Sequence, residues 1–178
     1  RRRLLIKAQR LFQKIMSAVI SILSIVLLTA LDQIIKYFVE LNLKPVQSIS
    51  VLNNVLEWDY VQNTGAAFGA FSEKTTLLSV ITGIIIIIGI AALVAKKIKN
   101  KYLAATAVMI IAGGLGNLVD RIWRGYVVDY IRVLFIDFPV FNFADILVTC
   151  GAAMLMIYLL WDINNDRKKK KAEEKKNG

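Results

Sequence analysis

Histidine is absent from all 178 residues, and cysteine occurs once. Without histidine there is no Ser-His-Asp triad, no Cys-His pair and no H-E-x-x-H zinc site. The lone Cys150 cannot close an intramolecular disulfide, and within an apolar stretch it reads as a packing residue. Acid is scarce beside base, with 13 Asp and Glu against 23 Lys and Arg, for a net charge of +10. That excess would suit a nucleic-acid partner only if it were spread over a folded surface, and it is not. Seventeen of the 23 basic residues fall in three places: six within residues 1–14, four between Lys96 and Lys101, and seven between Arg167 and Lys176.

What the chain has in abundance is apolar side chains, at 57% of residues, and a mean hydropathy of +0.57. A single soluble core of this size cannot hide so much apolar surface, so lipid is the expected solvent. Four stretches are long enough to cross roughly 30 Å of hydrocarbon at about 1.5 Å per residue. They are Ile15 to Leu31, Thr75 to Ala95, Tyr102 to Val119 and Phe143 to Trp161. The first follows a basic start like that of a secretory signal peptide, but its helical pattern continues through Asp32, Gln33 and Lys36 to about residue 38, so it is expected to be a retained anchor. The expected fold is a mainly α, polytopic membrane protein forming one domain over residues 1–178, with no internal repeat and no linker.

With four spans, the three basic clusters share one side, and the positive-inside bias makes that side the cytoplasm. Both termini are then cytoplasmic, and the basic tail from about residue 165 to 178 either touches anionic lipid or is solvated. Residues 39–74 and the stretch from about Asp120 to Asn142 face outward. In the first of these, apolar Ile49, Val51, Leu56, Trp58 and Tyr60 alternate with Ser50, Glu57 and Asp59. This period of two predicts two or three short strands between the first and second helices, within about residues 44–71, resting on the membrane surface or over the bundle. The run Asn63-Thr64-Gly65-Ala66-Ala67-Phe68-Gly69 reads locally as a turn leading into the second helix. Gly113, Gly114 and Gly116 in the third span should allow close helix approach, and the same glycines could accept a substrate backbone.

Carboxylates in or beside a membrane span cost several kcal/mol unless they are paired or wet. Asp32 lies about 27 Å along a helix from Lys14, close to the outer interface, and Lys36 one turn on would make a snorkelling pair that ends the span. Asp120, Asp129 and Asp145 converge at that same depth from the end of the third helix, the short connection and the start of the fourth. Two carboxylates close together in a low-dielectric site share one proton near neutral pH, which is the state that activates water and protonates a carbonyl in an aspartic peptidase. No metal or cofactor is needed. Spacing leaves open whether Asp120 or Asp129 partners Asp145, although Arg121 beside Asp120 competes for its charge and tilts the choice to Asp129.

Five blocks in order, Asp32-Gln33 with Lys36, Asn63 to Phe68, Gly113 to Arg121, Val128-Asp129 and Phe141 to Asp145, resemble the lipoprotein signal peptidases, also called signal peptidase II. The resemblance implies an aspartic endopeptidase of the bacterial cytoplasmic membrane, active at the periplasmic or extracellular face. It removes signal peptides from diacylglyceryl-modified prolipoproteins just before the lipidated cysteine. It also implies Asp129 and Asp145 as the catalytic pair, and Asn63, Asn117, Arg121 and Asn142 as the polar groups that hold substrate or orient the acids. Asp32, Lys36, Gly113, Asp120 and Ala144 are the expected supporting residues. Prolipoproteins and membrane lipid are the expected partners, nucleic acid is not, and a monomer is expected. The competing readings are an ion-coupled transporter or channel subunit and a non-catalytic scaffold. An acid cluster toward one interface rather than the midplane disfavours transport.

Overall fold

The computed structural model describes residues 2–65, 75–98 and 100–177. Residues 66–71 of the expected outward β region, which include Ala66 to Gly69 of the turn motif, lie outside the described residues. Among the described residues there are four helices, α1 (Arg2–Asn42), α2 (Thr75–Val94), α3 (Lys101–Trp123) and α4 (Phe143–Asn177), and three strands, β1 (Ser48–Leu52), β2 (Leu56–Asn63) and β3 (Val127–Val133). All four helices are long and apolar enough to cross a membrane. Isoleucine-rich α2 is apolar all round, as befits a helix with lipid on one side and protein on the other. The first helix does not stop at Asp32 and Lys36 but continues to Asn42, and the fourth carries helix through the basic tail.

Helix α3 is the hub, with α1, α2 and α4 packed around it. Its small residues make this possible. A Cβ on Gly113 would collide with the Ala144 carbonyl and come within 2.8 Å of Val148 Cγ2, and one on Gly116 would strike the Asp32 carboxyl. These two glycines are therefore closed off by neighbouring helices, the close approach that their small size was expected to allow. Gly114 instead faces α2, where Ile86 and Thr82 leave ordinary van der Waals room at 3.6 Å. Ile25, Ile86, Ile111, Ala112 and Leu147, one or more from each helix, form the buried centre.

The sheet has the order β1-β2-β3, antiparallel throughout. It differs from the expectation in one respect: its third strand comes from the connection between α3 and α4. The reason is burial on both faces, since Val127, Val128, Asp129 and Tyr130 are all buried and so give no alternating signal. Val128 and Tyr130 pack with Tyr60 and Leu43 against the end of α1. The opposite face carries Asp129, two residues from Val127 on the same side of the strand.

Candidate active site

Asp129 is delivered by β3, and two further pieces of backbone close around it. Phe141 returns to the strand, donating its N–H to the Ile131 carbonyl at 3.1 Å and accepting from Ile131 N at 2.8 Å. That pairing puts Asn142, the next residue, beside Asp129. On the other edge, β2 pairs Val61 with Asp129 and Asn63 with Val127. This diagonal placement lets Asn63 Nδ2 donate to Asp129 Oδ2 at 2.8 Å.

Asn142 also starts α4. Its Oδ1 accepts from Asp145 N at 3.0 Å, while its own N–H donates to Asp145 Oδ2 at 3.1 Å, a reciprocal capping box. The same side chain points its amide outward from the cap. Asn142 Nδ2 donates to Asp129 Oδ1 at 2.6 Å and to Asn117 Oδ1 at 3.1 Å, and Asn117 Nδ2 donates to Asp145 Oδ1 at 2.8 Å. Both carboxylates are thus held by one asparagine and each by a second. Burial, then the charge of Asp145, pushes the Asp129 carboxyl up to about 7, partly offset by the amides of Asn63 and Asn142. Tyr130, whose hydroxyl accepts from Phe143 N at 3.3 Å, is likewise pushed up by burial.

Beneath the two acids lies a fully buried ionic cluster. Lys36 Nζ has three acceptors, Asp120 Oδ2 at 2.8 Å, Asp32 Oδ2 at 2.9 Å and Asn117 Oδ1 at 3.0 Å, which match its three protons. Lys36 therefore does not snorkel, and the helix runs on past its pair with Asp32. Asp32 Oδ1 accepts from Ala144 N at 3.1 Å, fixing the first turn of α4. The charge of Asp120 is taken up not by the adjacent Arg121 but by Lys36 and, at 2.6 Å, Arg124. Neighbours on a helix diverge by about 100°, whereas Arg124 sits one turn on, over the same face. Asp120 Oδ2 further accepts from Val128 N at 3.3 Å, tying the cluster to the strand residue next to Asp129.

Arg121 instead turns to the other side, where its Nη2 donates to the Gly65 carbonyl at 3.2 Å. Its buried Nε has no hydrogen-bond partner among the described residues. Asn63, Asn117, Arg121, Asp129 and Asp145 line a cavity of about 480 Å³, with Phe138 to Phe141 on one wall and Ile146, Val148, Thr149 and Cys150 on another. Cys150, expected as a packing residue, is exposed and belongs to that lining. A smaller space of about 240 Å³ between α2, α3 and α4 shares Asn117, Arg121, Asp145 and Val148 with it. A polar corner with two carboxylates, opening onto apolar walls, suits hydrolysis of a bond in an otherwise greasy molecule.

Three contributors escaped the sequence reading. Arg124 bridges Asp120 to Glu40 at 3.0 Å and to Gln33 Oε1 at 3.2 Å, and Glu40 accepts from the Tyr126 hydroxyl at 3.3 Å. The acid Glu40 and the hydroxyl of Tyr130 carry no local motif. Only Arg124, four residues after Asp120, had a spacing that could have revealed it.

The family described as signal peptidase (SPase) II matches residues 24–161. The chain belongs to the signal peptidase II family. It is 37% identical over 150 residues to the lipoprotein signal peptidase of Lactococcus lactis subsp. lactis (strain IL1403), covering 84% of this chain and 97% of that one. It is 39% identical over 140 residues to that of Clostridioides difficile (strain 630), covering 79% and 94%. A solved structure described as a bacterial membrane enzyme, determined by the in meso method at 2.3 Å resolution, superposes with a TM-score of 0.75 at 35% identity, covering 82% of this chain and 90% of that one. As a signal peptidase II, the protein is a protease and a multi-pass membrane protein. A transporter, channel or scaffold reading is not favoured.

Proposed function

We propose that this signal peptidase II is an aspartic endopeptidase that releases the signal peptide from diacylglyceryl-modified prolipoproteins, cleaving just before the lipidated cysteine. Asp129 and Asp145 are its catalytic pair. The observation that carries this reading is Asn142, which binds both carboxylates at the polar end of a cavity with apolar walls.

With its carboxyl pushed up to about 7, Asp129 holds the shared proton. The Asp145 carboxylate takes a proton from water as the water oxygen attacks the scissile carbonyl carbon, and Asp129 donates its proton to the carbonyl oxygen. The resulting gem-diol collapses: the C–N bond breaks, Asp145 passes its proton to the amine nitrogen, and Asp129 recovers one from a diol hydroxyl. Asn63, Asn117 and Asn142 keep the acids aimed. The guanidinium of Arg121, at the cavity wall, is placed to bind a carbonyl of the substrate backbone. Asp32, Lys36, Asp120, Gly113 and Ala144 hold α1, α3 and α4 in the register this requires.

The chain is read as lying in the bacterial cytoplasmic membrane, with both termini cytoplasmic and the site and sheet at the opposite face. The distribution of 17 of 23 basic residues supports that orientation. Purified protein in detergent or nanodiscs should cleave a diacylglyceryl-modified prolipoprotein and leave the unmodified precursor essentially intact. Equal cleavage of both would contradict the assigned substrate.

A further inference from the structure

Helices α1 and α3 run in parallel with a constant offset: Thr29 Oγ1 donates to the Ala112 carbonyl and Gln33 Nε2 to the Gly116 carbonyl, each 83 residues apart. Extending that offset sets Ala18 level with Lys101, the first residue of α3. Residues 2–17 therefore project past the bundle by about 24 Å, on the side of the α2–α3 turn. They also precede residue 24, where the family match begins.

This projecting segment is two-faced. Arg3, Lys7 and Lys14, four and seven residues apart, share one helix face, while Leu4, Leu11 and Ile15, flanked by Leu5 and Phe12, line another. Left in water, Leu4 and Leu5 are each 70% exposed, Phe12 63% and Leu11 58%. At the level where the segment leaves the bundle, Ser21 Oγ donates to the Ser17 carbonyl at 3.0 Å. Back-bonding of this kind weakens and bends a helix, so the junction is a natural place to turn.

We propose that residues 2–16 form an amphipathic anchor that lies along an anionic phospholipid surface, bending from α1 near Ser17. The apolar face enters the acyl boundary, and the basic face meets lipid phosphates. Charge complementarity selects lipid as the occupant. The projecting end of α4 makes the contrast: beyond Asp162 its only apolar residues are Ile163 and Ala172, so it has charge without a face to bury.

The test is hydrogen exchange of the full-length protein in nanodiscs of phosphatidylcholine, alone or mixed with phosphatidylglycerol. An isolated helical segment of this length is marginal in water and exchanges quickly. Amides of residues 2–16 should slow by at least about tenfold when phosphatidylglycerol is present. That protection should vanish in high salt and in the Leu11→Ser, Phe12→Ser double variant, while exchange in the bundle is unchanged. Equal exchange in the two lipids would overturn the proposal. So would protection that survives the double variant, or that follows protein concentration and thus reports a second copy of the chain.

Discussion

At the residue scale, Asn142 joins two functions that are normally separate, ending a loop as a helix cap and aiming two acids. The functions can be pulled apart. Asn142→Ser keeps an oxygen for Asp145 N but removes the amide that donates to Asp129 and Asn117. Thermal stability should change by no more than about 1 kcal/mol, while kcat falls on the order of a hundredfold; a parallel loss of both would mean that Asn142 serves only the cap. Asp129 gives a second handle. Its carboxyl is raised from 3.8 to about 7, so between these values the folded protein holds a proton that the unfolded chain has released. The stability this confers is complete below about pH 4, declines as pH rises, and is lost once pH passes about 7. Asp129→Asn should flatten that part of the melting temperature against pH. In the unsubstituted enzyme, kcat/KM should fall as pH rises through about 7, because the proton donor is lost.

Among the elements, the decisive contact is the clasp of α1 and α3 around Lys36. Replacing Lys36 by Met leaves Asp32 and Asp120 buried without their shared cation, a loss of about 3–5 kcal/mol by analogy with other broken buried pairs. The yield of folded protein in detergent, judged by gel filtration and melting, measures it. Glycine offers a sharper comparison within one helix. Gly116→Ala should destabilise by about 1–3 kcal/mol, since its methyl meets the Asp32 carboxyl and Ala144, whereas Gly114→Ala should be tolerated beside Ile86 and Thr82. Equal melting of the two variants would show that the helices relax to accept either methyl. The sequence marked α3 as a close-packing helix through its glycines, but which glycine meets which neighbour depends on rotation about the helix axis. Small residues alone do not encode that rotation.

For the whole molecule, hydropathy and the four apolar runs made the helical membrane fold legible, because lipid demands long unbroken helices. The cap made by Asn142 and Asp145 went unread, although a cap residue followed three residues later by an acid is a local signal. What else stayed hidden depends on distant partners. Strand β3 looked like a mere connection because its mate β2 lies more than sixty residues earlier, as the bond from Asn63 to Asp129 records. Likewise Glu40 joins the buried cluster through Arg124, 84 residues away. Lys36 was read as snorkelling because one helix read alone cannot reveal that a neighbour supplies two further acceptors. Sequence therefore pointed to the acids, and tertiary structure supplied the groups that hold them. The most direct measurement is cleavage of a diacylglyceryl-modified prolipoprotein by Asp129→Asn and Asp145→Asn proteins that elute and melt as folded. Loss of activity in each by at least about a thousandfold is predicted, and near-normal turnover by either would contradict the catalytic pair.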